Sequence, residues 1–244
     1  MAYANKLDQA IEGLYVAFEG YRLPKHTNPC PCCHTAEDEL ILHAQPLREL
    51  DPDHLWQYSG DALMTWGDEA VFKHFLPRMF ELLATLPECP PRLVNREIVF
   101  SKFRHGNWRA WPEEEQAAVE RYLHSVWHEV LGVPPAEESY SDLESWICSI
   151  GQCEDDLSSY LHEWVEDERQ SASFALCWLL LTSAVARTGR NGRNEFWRGR
   201  DDQYAQLQKW VKSPAVIEKL TNAEVRCTDS TLADEFAAAR SICS

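Results

Sequence analysis

Apolar residues recur at three- and four-residue steps along most of the chain, which is the period of helices that bury one face. Leu7, Ile11, Leu14, Tyr15 and Phe18 make the first stripe, inside an amphipathic segment over Met1–Tyr21. Thr27–His34 interrupts it with Asn28, Pro29 and Pro31. Asp51-Pro52 reads as a cap and first turn, opening a helix that carries Leu55, Trp56, Leu63 and Met64 and ends at Gly67. Asp68 caps a longer helix over Glu69–Leu86, with a kink or break expected at Pro77. Val94–Arg104 forms a further helical piece. Pro112 then opens a long helix with Glu113, Glu114 and Glu115 at the positive end of its dipole, stopped by Gly132, Pro134 and Pro135.

Beyond Ser141 the period returns over Leu143–Ile150, Leu157–Val165, Ala172–Ala186, Tyr204–Val211, Ala215–Leu220 and Leu232–Ile242. No run alternates with the period of a strand, and only Glu224–Cys227 is locally ambiguous. The pattern predicts an all-α fold, an irregular multi-helix domain. Pro87 and Pro134 close two long helices 47 residues apart, near the upper end of HEAT-type spacing, so a HEAT-like helical solenoid is the alternative. The proline-rich stretch Val133–Ser139 suggests an N-terminal helical region over 1–135 and a C-terminal one over 136–244, packed as one unit.

Composition narrows the function classes. The 244 residues include ten Trp, nine Phe and eight Tyr, ample material for a core. A formal net charge of −16 opposes general nucleic-acid binding; it favours a basic protein partner through long-range steering, or simply maintains solubility. No leader-like start is visible, and the most apolar stretch, Phe174–Ala186, is too short to span a bilayer. Nine Cys, an odd number, fit reduced thiols in a cytoplasm better than a disulfide framework.

The sharpest chemical feature is Cys30-Pro31-Cys32-Cys33-His34. Cys30 and Cys33 have the two-residue gap of a zinc knuckle, which lets two thiolates converge on one ion. A closed structural zinc site takes four ligands, with His34, His43, His74 and Cys89 as candidates for the remaining two. The favoured set is Cys30, Cys33, His43 and His74, with Cys32 as an alternative member of the first pair. Packed or exposed thiols without metal, and a redox pair, are the competing readings; the redox reading lacks a βαβ context. His124 and His128 share a helix face, but Ser125 stands where a zinc hydrolase carries its Glu, so a solvated face paired to Glu120 or Glu113 is the simpler reading.

Five arginines, Arg187, Arg190, Arg193, Arg198 and Arg200, stand out from the acidic remainder. They suit a phosphate or an acidic partner, or pairing within the chain to Glu154–Asp156 or Glu163–Glu168. Trp56, Trp66, Trp127, Trp146, Trp164 and Trp178 read as packing residues. Trp108, Trp111 and Trp197, near breaks, read as a contact surface together with Arg190, Arg193 and Arg198. Neither Gly-x-Ser-x-Gly nor a Gly-rich nucleotide loop is present.

The segments Cys30-Pro31-Cys32-Cys33, Pro46-Leu47-Arg48-Glu49-Leu50, Thr65-Trp66-Gly67-Asp68 and Phe72-Lys73-His74-Phe75-Leu76-Pro77-Arg78 come in this order. Trp111-Pro112 and Glu115-Gln116-Ala117-Ala118-Val119 follow. Over roughly Cys30 to Leu131 the chain thereby resembles a family of uncharacterised bacterial proteins. That resemblance implies a bacterial cytosolic setting and no particular activity.

The expected function is a non-enzymatic helical protein-binding module with structural zinc, such as a bacterial immunity protein that neutralises a basic toxin. Two alternatives stand beside it. One is a metal-dependent enzyme using the same Cys/His cluster, with Asp68 or Glu69 as acid/base near His74. The other is a regulatory scaffold docking through Arg187–Arg200.

Overall fold

Proline, glycine and capping side chains punctuate the chain, and in this computed structural model the described residues form twelve α-helices, with a helical content of 72% and no strands among them. The structure describes residues 6–85, 96–133, 140–186 and 193–243. In order, the helices are α1 (Lys6–Ala17), α2 (Ala36–Ile41), α3 (Pro52–Asp61), α4 (Glu69–Thr85), α5 (Arg96–His105) and α6 (Glu113–Gly132). Then come α7 (Tyr140–Cys153), α8 (Ser158–Glu166), α9 (Gln170–Thr182), α10 (Asp201–Trp210), α11 (Pro214–Arg226) and α12 (Ser230–Cys243). The fold is all-α, as the periodicity predicts. The stop at Pro87 and the linker expected at Pro134–Ser139 lie outside the described residues. None of the described helices is long and apolar enough to cross a membrane.

Chain contacts divide the molecule into two compact units, Met1–Val126 and Trp127–Ser244. In the first, α4 packs on α1, α3 and a 3-10 turn at Leu47–Glu49, and α3 packs on α5. The centre is aromatic. The Phe80 ring stacks on Tyr122 at 4.3 Å, on Phe100 at 5.2 Å and on Phe103 at 5.4 Å. The Tyr122 hydroxyl donates to the Phe80 carbonyl at 2.9 Å, so the phenol is buried without a stranded polar atom.

Several expectations are corrected here. α3 ends at Asp61, not Gly67, because Leu63 adopts a left-handed backbone (φ 64°) that no helix continues. Met64 is consequently exposed at 64%, and Trp56, expected in the core, is 49% exposed. α4 runs through Pro77 without a break. The proline still removes one helical N–H donor there. α2 is absent from the apolar pattern because none of its residues is buried. Trp108, Trp111 and Trp197, expected at a contact surface, are core residues at 2%, 4% and 0% exposure. Each sits in or beside a short 3-10 turn that folds its indole inward, and Trp111 Nε1 donates to the Gly106 carbonyl at 2.9 Å.

Glu115 does not act as a surface dipole partner like Glu113 and Glu114. It turns inward to Lys73, whose Nζ lies 2.8 Å from Glu115 Oε2 and 2.7 Å from Glu69. Lys73 is 3% exposed, sits 4.4 Å from the Trp111 ring centre and donates to the Tyr21 hydroxyl at 3.2 Å. Tyr21 in turn donates to Glu115 Oε1 at 2.6 Å. One buried cation thus joins α4, α6 and the chain after α1.

In the second unit α9 is the hub: it packs against α7, α11 and α12. It is apolar on nearly every side, as a helix surrounded by others must be. Trp127 and Trp164 meet edge to face at 5.3 Å, and their indole nitrogens donate to the Tyr160 and Ala172 carbonyls at 3.0 and 2.9 Å. Trp197 docks on α7 at Gly151, where a Cβ would stand 2.7 Å from the indole.

Two substitutions test this packing. Gly151→Ala drives a methyl into the buried Trp197 ring and is expected to cost about 1–2 kcal/mol despite alanine's better helix propensity. Lys73→Met leaves Glu115 buried without its cation and is expected to cost roughly 3 kcal/mol. Adding Glu115→Gln should recover part of that loss. Urea midpoints at constant slope provide the readout in each case.

Candidate metal centre

The loop from Thr27 to Thr35 is held by its backbone before any side chain is considered. Pro29 and Trp66 form an antiparallel bridge, and the Cys30 N–H donates to the Thr65 carbonyl at 2.7 Å. Asn28 supplies the left-handed residue (φ 54°) that lets the chain enter this bridge. The N–H groups of Cys33 and His34 both donate to the Cys30 carbonyl at 3.0 Å, closing a tight turn over Pro31–Cys33.

Beneath the turn runs a chain of buried polar contacts. Trp66 is 2% exposed, and its Nε1 donates to Thr27 Oγ1 at 2.8 Å. The Thr27 hydroxyl donates in turn to Glu39 Oε1 at 2.8 Å, and the Thr27 N–H donates to the same oxygen. Burial pushes the Glu39 carboxyl up, but the Thr27 hydrogen bonds and His26 outweigh it and hold the group below the ordinary carboxylate range. Glu39 lies on α2, whose start is fixed by a reciprocal capping box between Thr35 and Asp38.

Three thiols crown this base. Their sulfurs all lie within 4.8 Å of one another, with Cys30 Sγ 2.8 Å from Cys32 Sγ and Cys32 Sγ 3.7 Å from Cys33 Sγ. Cys32 and Cys33 are exposed and Cys30 is partly so. The Cys32 thiol hydrogen-bonds to Cys30, holding Cys30 below the usual thiol range. Cys32 itself is pushed up to about 11 by its two sulfur neighbours. Like charges so close together do not ionise together without a cation. Three thiolates at about 2.3 Å from one zinc lie about 3.8 Å apart. The Cys32–Cys33 separation already matches that spacing, and the exposed Cys30–Cys32 pair has only to open. The cluster can therefore hold a metal ion.

The histidines stand differently from the favoured ligand set. His34, next to Cys33, points inward: its ring packs 4.3 Å from Trp66, Nδ1 lies 3.2 Å from Gln57 Nε2, and Nε2 lies 3.5 Å from Thr65 Oγ1. Asp61 is 3.6 Å from the same Nε2. His34 is thus a support for the turn, a role its place beside three cysteines disguises in the sequence. His74 Nδ1 donates to the Tyr21 carbonyl at 2.9 Å, and burial keeps its imidazole below the usual histidine range. His43 is exposed and near enough to His74 for their charges to interact. Among the described residues the thiol group gathers Cys30, Cys32 and Cys33, and neither His43 nor His74 joins it. Cys89 lies outside the described residues.

Asp68 Oδ1 accepts from the Val71 N–H at 3.0 Å as the cap of α4, and Glu69 is paired to Lys73. Both carboxylates suggested as acid/base groups therefore have structural work. His128 Nδ1 lies 3.3 Å from Arg169, and Glu120 pairs with Arg109 instead of a histidine.

Of the arginine run, Arg187 and Arg190 lie outside the described residues. Arg193 binds Asp201 at 2.6 Å and lies 4.5 Å over the Tyr204 ring. Arg198 meets Glu195 at 2.9 Å on the surface. Arg200 is buried, donating to the Gly151 and Glu154 carbonyls and to Asp155 at 3.0 Å. The pairing expected with Glu154–Asp156 is therefore made by Arg200.

In the second unit a groove of about 580 Å³ opens between α8, α9 and α11. Glu166, Glu168 and Glu218 stand exposed on its rim. Lys219 spans its wall, donating to the Val165 carbonyl at 3.2 Å and to the Asp167 carbonyl. Burial, partly offset by Asp167, Glu166 and Glu168, holds Lys219 below the usual lysine range.

No protein-family model, curated protein or solved structure matches this chain.

The depressed Glu39 carboxyl sets a pH dependence. Its stabilising effect is present above the unfolded glutamate value of about 4.3 and is lost as pH falls through the lower folded value. Urea midpoints of the native chain should therefore drop between about pH 5 and 3 more steeply than those of Glu39→Gln. Parallel curves would show that the Thr27–Glu39 contact contributes nothing to the folded state.

Proposed function

We propose that this chain is a non-enzymatic helical protein-binding module, with a zinc ion at the thiol turn stiffening its first unit and an acidic surface that takes a basic protein. The observation that carries the reading is charge placement. The chain holds 39 acidic against 23 basic residues, and on the α8–α9–α11 groove the exposed Glu166, Glu168 and Glu218 outnumber the exposed Arg226, while Lys219 is occupied by main-chain carbonyls. A surface of this kind speeds encounter with a cationic partner and repels nucleic acid. An immunity protein that neutralises a basic bacterial toxin is one concrete form.

A second reading, a metal-dependent enzyme, draws on one observation: Cys32 and Cys33 are open to solvent. The two carboxylates expected to serve it as acid/base groups, Asp68 and Glu69, are both engaged in local contacts.

The test compares affinity capture from a bacterial lysate by the native chain and by Glu166→Lys/Glu168→Lys/Glu218→Lys. Capture of a basic protein that weakens on the order of tenfold in the variant, and also with added salt, is the expected result. Identical capture by both chains, or recovery of only acidic proteins, would overturn the reading.

A further inference from the structure

The geometry points to an open trithiolate site: Cys30, Cys32 and Cys33 together bind one thiophilic d10 cation of the zinc class, leaving its fourth coordination position facing solvent. The inference rests on the metal reading of the thiol turn and changes what kind of site it is. A closed knuckle made with His43 and His74 would be purely structural. An open one exchanges its fourth ligand and accepts an outside donor, such as a small thiol or a partner's side chain.

Three observations carry it. First, the three sulfurs converge from a single turn that the Cys30 carbonyl closes through two N–H groups, so no distant segment has to move for them to meet. Cys32 Sγ is the shared neighbour, which makes it a member of the set and not a spare. Secondly, the nearest imidazole is already committed. His34 is buried against Trp66, and both of its ring nitrogens face side chains on the inner side of the turn. Thirdly, no fourth Cys, His, Asp or Glu among the described residues joins the group, and two of its three sulfurs are exposed. Soft thiolate donors select zinc, copper(I) and related ions over magnesium or calcium. Binding replaces thiol protons by the ion, so protons are released and no electrons are exchanged.

The experiment titrates Zn2+ and Cd2+ separately into the reduced full-length chain. The variants are Cys30→Ser, Cys32→Ser, Cys33→Ser, His43→Ala and His74→Ala, with helical content checked for each. X-ray absorption at the zinc edge is recorded on the native zinc form. The expected result is one ion per chain, bound by three sulfurs and one light-atom donor. Each cysteine variant should weaken binding by at least about a hundredfold, since even outer partners of a metal ligand are worth 10–100-fold. The histidine variants should stay within about twofold of the native chain, because they remove no ligand. Three outcomes overturn the proposal while leaving a metal-binding knuckle in place: a histidine variant that weakens binding as much as a cysteine variant, a four-sulfur shell, or Cys32→Ser binding as tightly as native. Failure of both ions to bind would remove the knuckle reading and this inference together.

Discussion

The first unit depends on a hydroxyl used in both directions. Thr27 accepts a hydrogen bond from the buried Trp66 indole and donates one to Glu39, so a core side chain and an outlying helix are joined through a single oxygen. A buried indole N–H without an acceptor would carry a desolvation penalty of about 1–3 kcal/mol. The loop carrying the cysteines is thus drawn to the core by a polar requirement and not by its own apolar surface. This explains how a turn with two exposed thiols keeps a defined geometry. The groups that hold it, Trp66, Thr27, His34 and Glu39, lie beneath the sulfurs and leave the sulfurs themselves uncommitted.

Buried charge follows the same economy elsewhere. Lys73 and Arg200 are nearly inaccessible, and each is met by three acceptors. Lys73 meets carboxylates and ring faces, whereas Arg200 mainly meets main-chain carbonyls near the end of α7. The first arrangement joins helices far apart in sequence, and the second seals the end of one helix. Removing one partner from either costs more than breaking the exposed Arg198–Glu195 pair, whose charges water screens.

The helical architecture was legible because stripes such as Leu7–Phe18 and Val119–Val130 repeat at the period of the helix that buries them. α2 was not, because a short exposed helix held by a capping box and one glutamate has no stripe to read. The end of α3 was misplaced for a related reason. A left-handed Leu63 is set by what surrounds it, and leucine carries no local mark of that conformation. At the thiol turn, spacing alone drew Cys30 and Cys33 together in the sequence. The part played by Cys32 depends on where the turn points its sulfur, and His34 looked like a ligand because its inward partners, Gln57, Thr65 and Trp66, are more than twenty residues away. Trp108, Trp111 and Trp197 show the limit of judging exposure from proximity to a chain break: a 3-10 turn can fold an indole inward within three residues.

Arg200 also differs from Arg198, the exposed arginine two residues before it. Its guanidinium reaches two carbonyls and a carboxylate at once through Nε and one terminal nitrogen, a fork that an ammonium group does not reproduce. Lysine at position 198 would keep the surface charge beside Glu195, whereas lysine at position 200 would lose the fork that reaches Gly151, Glu154 and Asp155. That difference between two neighbouring arginines is set by main-chain oxygens and not by any ligand.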